Sequence, residues 1–142
     1  MIAISSCLTG KKCRYNATDC LNKSLLEELT DYIDLCPEIL GGLSTPRPPC
    51  EIISGTANDV LTGTGKITDK EGNDFTSAMV NGAMLALKIC QNNSVTRVYL
   101  KQKSPTCGCG LIYDGSFSGN LKSGNGIFTE LLISNDIEVI AV

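Results

Sequence analysis

Four short apolar runs, at residues 2–6, 32–36, 97–101 and 137–142, alternate with segments of helical character, and this alternation constrains the fold more than any other feature of the chain. Runs this short have the length of strands, whereas helices need ten or more residues to bury a face. A strand, a helix and a second strand in succession fold as a parallel pair joined by a right-handed crossover. The expected class is therefore α/β: one single-domain, three-layer Rossmann-like fold over residues 1–142, with a mostly parallel sheet and a small β-hairpin insertion.

The segments between the runs support this reading. Ser24-Leu-Leu-Glu27 has the spacing of a capping box, so a short helix is expected there, with Leu25, Leu26 and Leu29 on its buried face. Phe75, Met79, Ala83, Ala86, Leu87 and Cys90 recur at helical spacing and predict a long helix over 74–90. A last helix is expected over 126–134. Residues 59–70, with Gly63 and Gly65 at the centre, read as the inserted hairpin. Between Gly41 and Pro49, three prolines fix backbone torsions and remove amide donors, which leaves a stiff, irregular loop.

Three of the four apolar runs lead into a cysteine: Cys7, Cys36 and Cys107. In open parallel sheets, ligands bind outside the carboxyl ends of the strands, so thiols far apart in sequence are expected to converge on one rim. The chain has eight cysteines and no histidine. The commonest general base and the commonest nitrogen ligand are thus missing, and chemistry must rest on carboxylate, thiol, hydroxyl, amine or metal. No Cys-x-x-Cys occurs, which argues against zinc-ribbon, ferredoxin and thioredoxin-type sites. Dispersed single ligands remain, and so does plain packing, since buried cysteine behaves as a small hydrophobe. Cys90 falls on the core face of the long helix. Cys13, Cys20, Cys50 and Cys109 lie in loops and are placed outside the ligand set.

No run approaches the roughly 20 apolar residues of a membrane-spanning helix, and the first residues lack a basic segment before an apolar core, so a soluble, cytoplasmic protein is expected with no membrane partner. The net charge of −3 argues against a broad nucleic-acid footprint. Lys11, Lys12 and Arg14 near Cys7, and Lys101 and Lys103 before Cys107, form two local positive clusters, each read more readily as a solvated loop or strand end than as a binding patch.

Four motifs carry a resemblance: Ser-Ser-Cys-Leu-Thr-Gly at 5–10, Cys-Pro-Glu-Ile-Leu-Gly-Gly-Leu-Ser-Thr-Pro-Arg-Pro-Pro at 36–49, Lys-Ser-Pro-Thr-Cys-Gly at 103–108 and Tyr-Asp-Gly-Ser-Phe-Ser-Gly at 113–119. Across nearly its whole length the chain resembles the thiouracil desulfidase family. The resemblance implies a [4Fe-4S] cluster on Cys7, Cys36 and Cys107, with one iron open to take sulfur from a substrate. It implies Glu38 and Ser104 as catalytic residues; Thr106 stands where the family usually has serine, which leaves the catalytic hydroxyl at either position. Arg47 and Thr106 are the expected substrate contacts.

The implied reaction replaces the sulfur of a thiolated pyrimidine (2-thiouracil, 4-thiouracil or 4-thiouridine) with oxygen and releases sulfide without net redox change. A small thionucleobase or thionucleoside is the expected partner. Thiolated tRNA is disfavoured by the net charge. The alternative is a non-catalytic iron-sulfur or metal-sensing module, in which Glu38 and Ser104 would be dispensable.

Overall fold

Strands β1 (Ile2–Ser5), β2 (Tyr32–Leu35), β5 (Arg97–Leu100) and β8 (Glu138–Ala141) form an all-parallel sheet in the order β2-β1-β5-β8 in the computed structural model, which describes residues 1–142. Successive strand side chains point to opposite faces, and the sequence uses both. Ala3, Val98 and Leu100, each 0% exposed, join Leu35 in the main core. Ile4 faces the other way and packs with Leu8, Leu25, Tyr32 and Tyr99 in a smaller cluster.

Helices α4 (Thr76–Asn92) and α5 (Ile127–Ser134) cover the main core, and α1 (Lys23–Glu28) covers the smaller one. Two helical layers thus sandwich the sheet, as right-handed crossovers from β1 to β2 in one direction and from β2 to β5 and β5 to β8 in the other require. Phe128 and Leu132 of α5 are both 0% exposed, and burying each contributes about 1.5–3 kcal/mol. None of the helices is long and apolar enough to cross a membrane.

The inserted hairpin exists but is built differently from the expectation. Residues expected as its first strand form helix α3 (Ala57–Thr62), because Thr56 and Asp59 close a capping box and Gly63, at φ 96°, ends the helix in the left-handed region. A short apolar pair such as Val60-Leu61 fits helix or strand equally well, and the caps decide. The true hairpin pairs β3 (Cys50–Ser54) antiparallel with β4 (Lys66–Asp69). A second small ribbon joins β6 (Leu111–Tyr113) to β7 (Leu121–Ser123). The Ser24 capping box does not form either. Asn22 caps α1 by accepting from the Leu25 amide at 3.1 Å, which leaves Ser24 inside the first turn.

Pro37 ends β2 as expected and also opens a one-turn helix, α2 (Pro37–Leu40), where its missing amide costs nothing. This helix lies so close to α4 that neither Gly41 nor Gly82 has room for a Cβ: the first would strike the Ala78 carbonyl and the second the Pro37 carbonyl. Backbone contact between α2 and α4 therefore fixes where the Cys36-Pro37-Glu38 segment sits.

Candidate active site

The connection from β1 runs to β2 on one side and that from the adjacent β5 runs to β8 on the other, so the two leave in opposite directions and open a crevice at the carboxyl ends of β1 and β5. A cavity of about 530 Å³ occupies this position and is lined by Cys7, Cys36 and Cys107. The three strand-end thiols do converge.

Each is delivered by a different device. Cys7 sits in a 3-10 turn, Ser6–Thr9, and its carbonyl accepts from the Cys20 amide at 2.8 Å. Cys36 is the extended residue that caps α2. Cys107 lies in the loop after β5, with its amide donating to Ser104 Oγ at 2.8 Å. The start of α5 clamps that loop, where helix amides lack internal partners. Gly126 donates to the Gly108 carbonyl at 2.7 Å, Ile127 to Pro105 at 2.8 Å and Phe128 to Thr106 at 2.9 Å. Gly126 itself has no room for a Cβ against the Thr106 backbone.

Two further thiols line the cavity, Cys13 and Cys50, both read from sequence as loop cysteines. Cys20 and Cys109 are not among its lining residues, and Cys90 is fully buried in the main core as expected. The neighbouring Cys13 thiol and burial push the Cys36 pKa far above the ordinary thiol value. Burial, then the charges of Cys36 and Glu38, raise Cys107. Cys13 is drawn down by Cys36 but raised more by Cys7 and burial, to about 11. Burial, with Glu38 and Asp69, pushes Cys50 up to about 12.

Such thiols become thiolates only beside a strong positive centre, which a metal supplies. Cys13 stands within hydrogen-bond reach of both Cys7 and Cys36, and Cys107 lines the same cavity, so soft sulfur donors gather around one space. Such a donor set, without histidine, fits a thiophilic metal group such as an iron-sulfur cluster.

Beside the thiols stands an ordered polar chain. Glu38 Oε1 accepts from Arg47 Nε at 3.0 Å, and Oε2 accepts from Thr106 Oγ1 at 2.8 Å. Thr106 Oγ1 lies 3.1 Å from Ser104 Oγ. Thr106 has one hydroxyl proton and gives it to Glu38, so Ser104 is the donor in that bond. The chain then runs in one direction, from the Cys107 amide through Ser104 and Thr106 to Glu38. Ser104 and Glu38 line the cavity, while Thr106 is 0% exposed behind them.

Arg47 is only 9% exposed, and its other nitrogens are committed: Nη1 donates to the Ser44 carbonyl at 3.2 Å and Nη2 to the Cys13 carbonyl at 2.9 Å. Arg47 and Thr106, expected to contact substrate, thus both bond directly to Glu38. Sequence reasoning gave no role to Glu51, Tyr113 and Phe117, which also line the cavity. The last two belong to the Tyr-Asp-Gly-Ser-Phe-Ser-Gly motif, which was visible but unassigned.

Fold and site together define a class: α/β proteins that gather dispersed thiols and an anchored carboxylate at the switch point of a parallel sheet. The chain belongs to the 2-thiouracil desulfurase family, whose model matches residues 2–142. It is 43% identical over 143 residues to the uncharacterized protein YbbK of Bacillus subtilis (strain 168), covering 99% of this chain and 95% of that protein. Its structure is also similar to that of the [4Fe-4S]-dependent thiouracil desulfidase TudS, with a TM-score of 0.85 and 35% identity over 99% of this chain and 89% of that one.

Proposed function

We infer that this chain is an iron-sulfur-dependent desulfidase that replaces the sulfur of a thiolated pyrimidine with oxygen. Cys7, Cys36 and Cys107 would hold a [4Fe-4S] cluster, which leaves one iron without a protein ligand. When bound, such a cluster supplies a soft Lewis acid suited to thiocarbonyl sulfur. The observation that carries the reading is the shared cavity: three strand-end thiols and the Glu38 carboxylate line one space, large enough for a pyrimidine base or nucleoside.

The reaction balances without a redox partner: water oxygen joins the carbon, the carbon-sulfur bond breaks, and sulfur leaves as sulfide. Glu38 accepts the proton of the attacking water. Arg47 fixes Glu38 Oε1 and so presents the carboxylate in one orientation. Ser104, on the cavity wall, passes a proton through Thr106 to or from Glu38 Oε2. The buried threonine thus serves the relay from behind, and its methyl group is accommodated in the core instead of intruding on substrate.

Anaerobic reconstitution with iron and sulfide, followed by loss of the absorbance of 2-thiouracil or 4-thiouracil, tests the reading directly. Stoichiometric sulfide release is expected. An intact cluster that turns over neither the bases nor 4-thiouridine would overturn it. Arg14, Lys70, Lys101 and Lys103 line the cavity, yet the net charge of −3 favours a small substrate over tRNA. Turnover of thiolated tRNA that falls steeply with added salt would reverse that preference, because phosphate contacts release counterions.

A further inference from the structure

One carboxylate on the cavity wall takes no part in the relay. Glu51, in β3, is 8% exposed and lines the cavity. Its Oε1 accepts two backbone amides, those of Gly115 at 2.9 Å and Phe117 at 3.3 Å. Its Oε2 has no donor anywhere in the protein, and Glu51 forms no ion pair. That oxygen keeps contact with solvent through the cavity, so a bound ligand can replace water as its donor.

The amides that Glu51 holds belong to the Tyr113–Gly119 loop. Phe117 stands at φ 55°, an unusual conformation for an aromatic residue that persists only where its surroundings enforce it. Two contacts enforce it here. Glu51 binds its amide, and Gly115 lies so close to β3 that a Cβ would be 2.6 Å from the Ile52 carbonyl. The half-buried Phe117 is thereby fixed against the cavity that contains Glu38 and the thiols.

We propose that Glu51 recognises the edge of the substrate ring by accepting a ring N–H at Oε2, and that Phe117, placed by the same carboxylate, supplies the face on which the ring stacks. The inference deepens the desulfidase reading and rests on it. Uracil-type rings carry N–H groups beside the carbonyl or thiocarbonyl carbons, and a carboxylate complements such a donor. A ring nitrogen without hydrogen would meet the same oxygen with a lone pair and be rejected.

The test is equilibrium binding of uracil, 1-methyluracil and 3-methyluracil to the cluster-loaded protein by calorimetry. Each methyl group removes one ring N–H. The wild-type protein is expected to bind one methyl isomer about ten- to a hundredfold more weakly than the other, the loss of a hydrogen bond to a charged group. Glu51→Gln keeps an acceptor for the loop amides but turns an NH₂ donor towards the ring, and should erase the preference between isomers. Phe117→Leu retains Glu51 and should weaken all three ligands by a similar factor, with the preference intact. A Glu51→Gln protein that keeps the wild-type preference, or a wild-type protein that binds both isomers as well as uracil or binds none of the three, would overturn the proposal. Selective binding without turnover of any thiopyrimidine would support ring recognition and overturn the desulfidase reading. Turnover without isomer preference would do the reverse.

Discussion

The two ends of the parallel sheet each carry an arginine-carboxylate pair bonded through Nε, and the shorter pair matters less. At the amino end, Arg97 and Glu138 are register partners on β5 and β8, 2.6 Å apart, with side chains 44% and 52% exposed. At the carboxyl end, Arg47 and Glu38 are 3.0 Å apart with side chains 5% and 14% exposed. Water and salt compete for the first pair whatever its length. In the second, desolvation makes each partner depend on the other, and the remaining guanidinium nitrogens are satisfied by Ser44 and Cys13. Burial, not separation, sets what an ion pair does, and only the end with the cavity invests in it.

The comparison can be broken in graded ways. The largest effect is expected from the thiols. Cys7→Ser, Cys36→Ser and Cys107→Ser should each abolish stoichiometric iron after anaerobic purification, whereas Cys13→Ser should retain it; iron loss from Cys13→Ser alone would move the ligand set. Next, Arg47→Ala leaves Glu38 without its counter-ion and should lower the unfolding free energy by about 3–5 kcal/mol in denaturant titrations. Arg47→Lys should recover only part of this, because one ammonium cannot serve Glu38, Ser44 and Cys13 together.

Glu38→Gln removes the proposed base and should cut turnover by about 100-fold or more, with iron content and cluster spectrum unchanged. The smallest effect is expected at the other end. Arg97→Ala should shift neither the denaturation midpoint nor the turnover beyond measurement scatter, and a large loss there would undo the contrast.

The strand ends were legible because short apolar runs followed by cysteine combine two strong signals, and the parallel order then follows from the crossover rule. Pro37 was legible as a strand stop but not as the first residue of α2, since proline fits both roles. The region 59–70 misled because its apolar pairs have no period, and only the Thr56–Asp59 cap and the pairing of β3 with β4 resolve them. Glu38, Ser104, Thr106 and Arg47 could each be named from the sequence. Their order in a chain could not, because Thr106 and Glu38 meet across 68 residues. Cys13 escaped for a related reason: its place beside Cys7 and Cys36 depends on the path of an irregular loop held by Arg47.

The strand order carries a consequence for how the protein matures. The pairing of β1 with β2 brings Cys7 and Cys36 together, and both lie within the first third of the chain. Cys107 joins them only when β5 pairs with β1, bringing Arg97 opposite Ile2, and its loop is clamped only after α5 has formed. A group held by all three thiols would thus be taken up only after the last segments of the chain are in place.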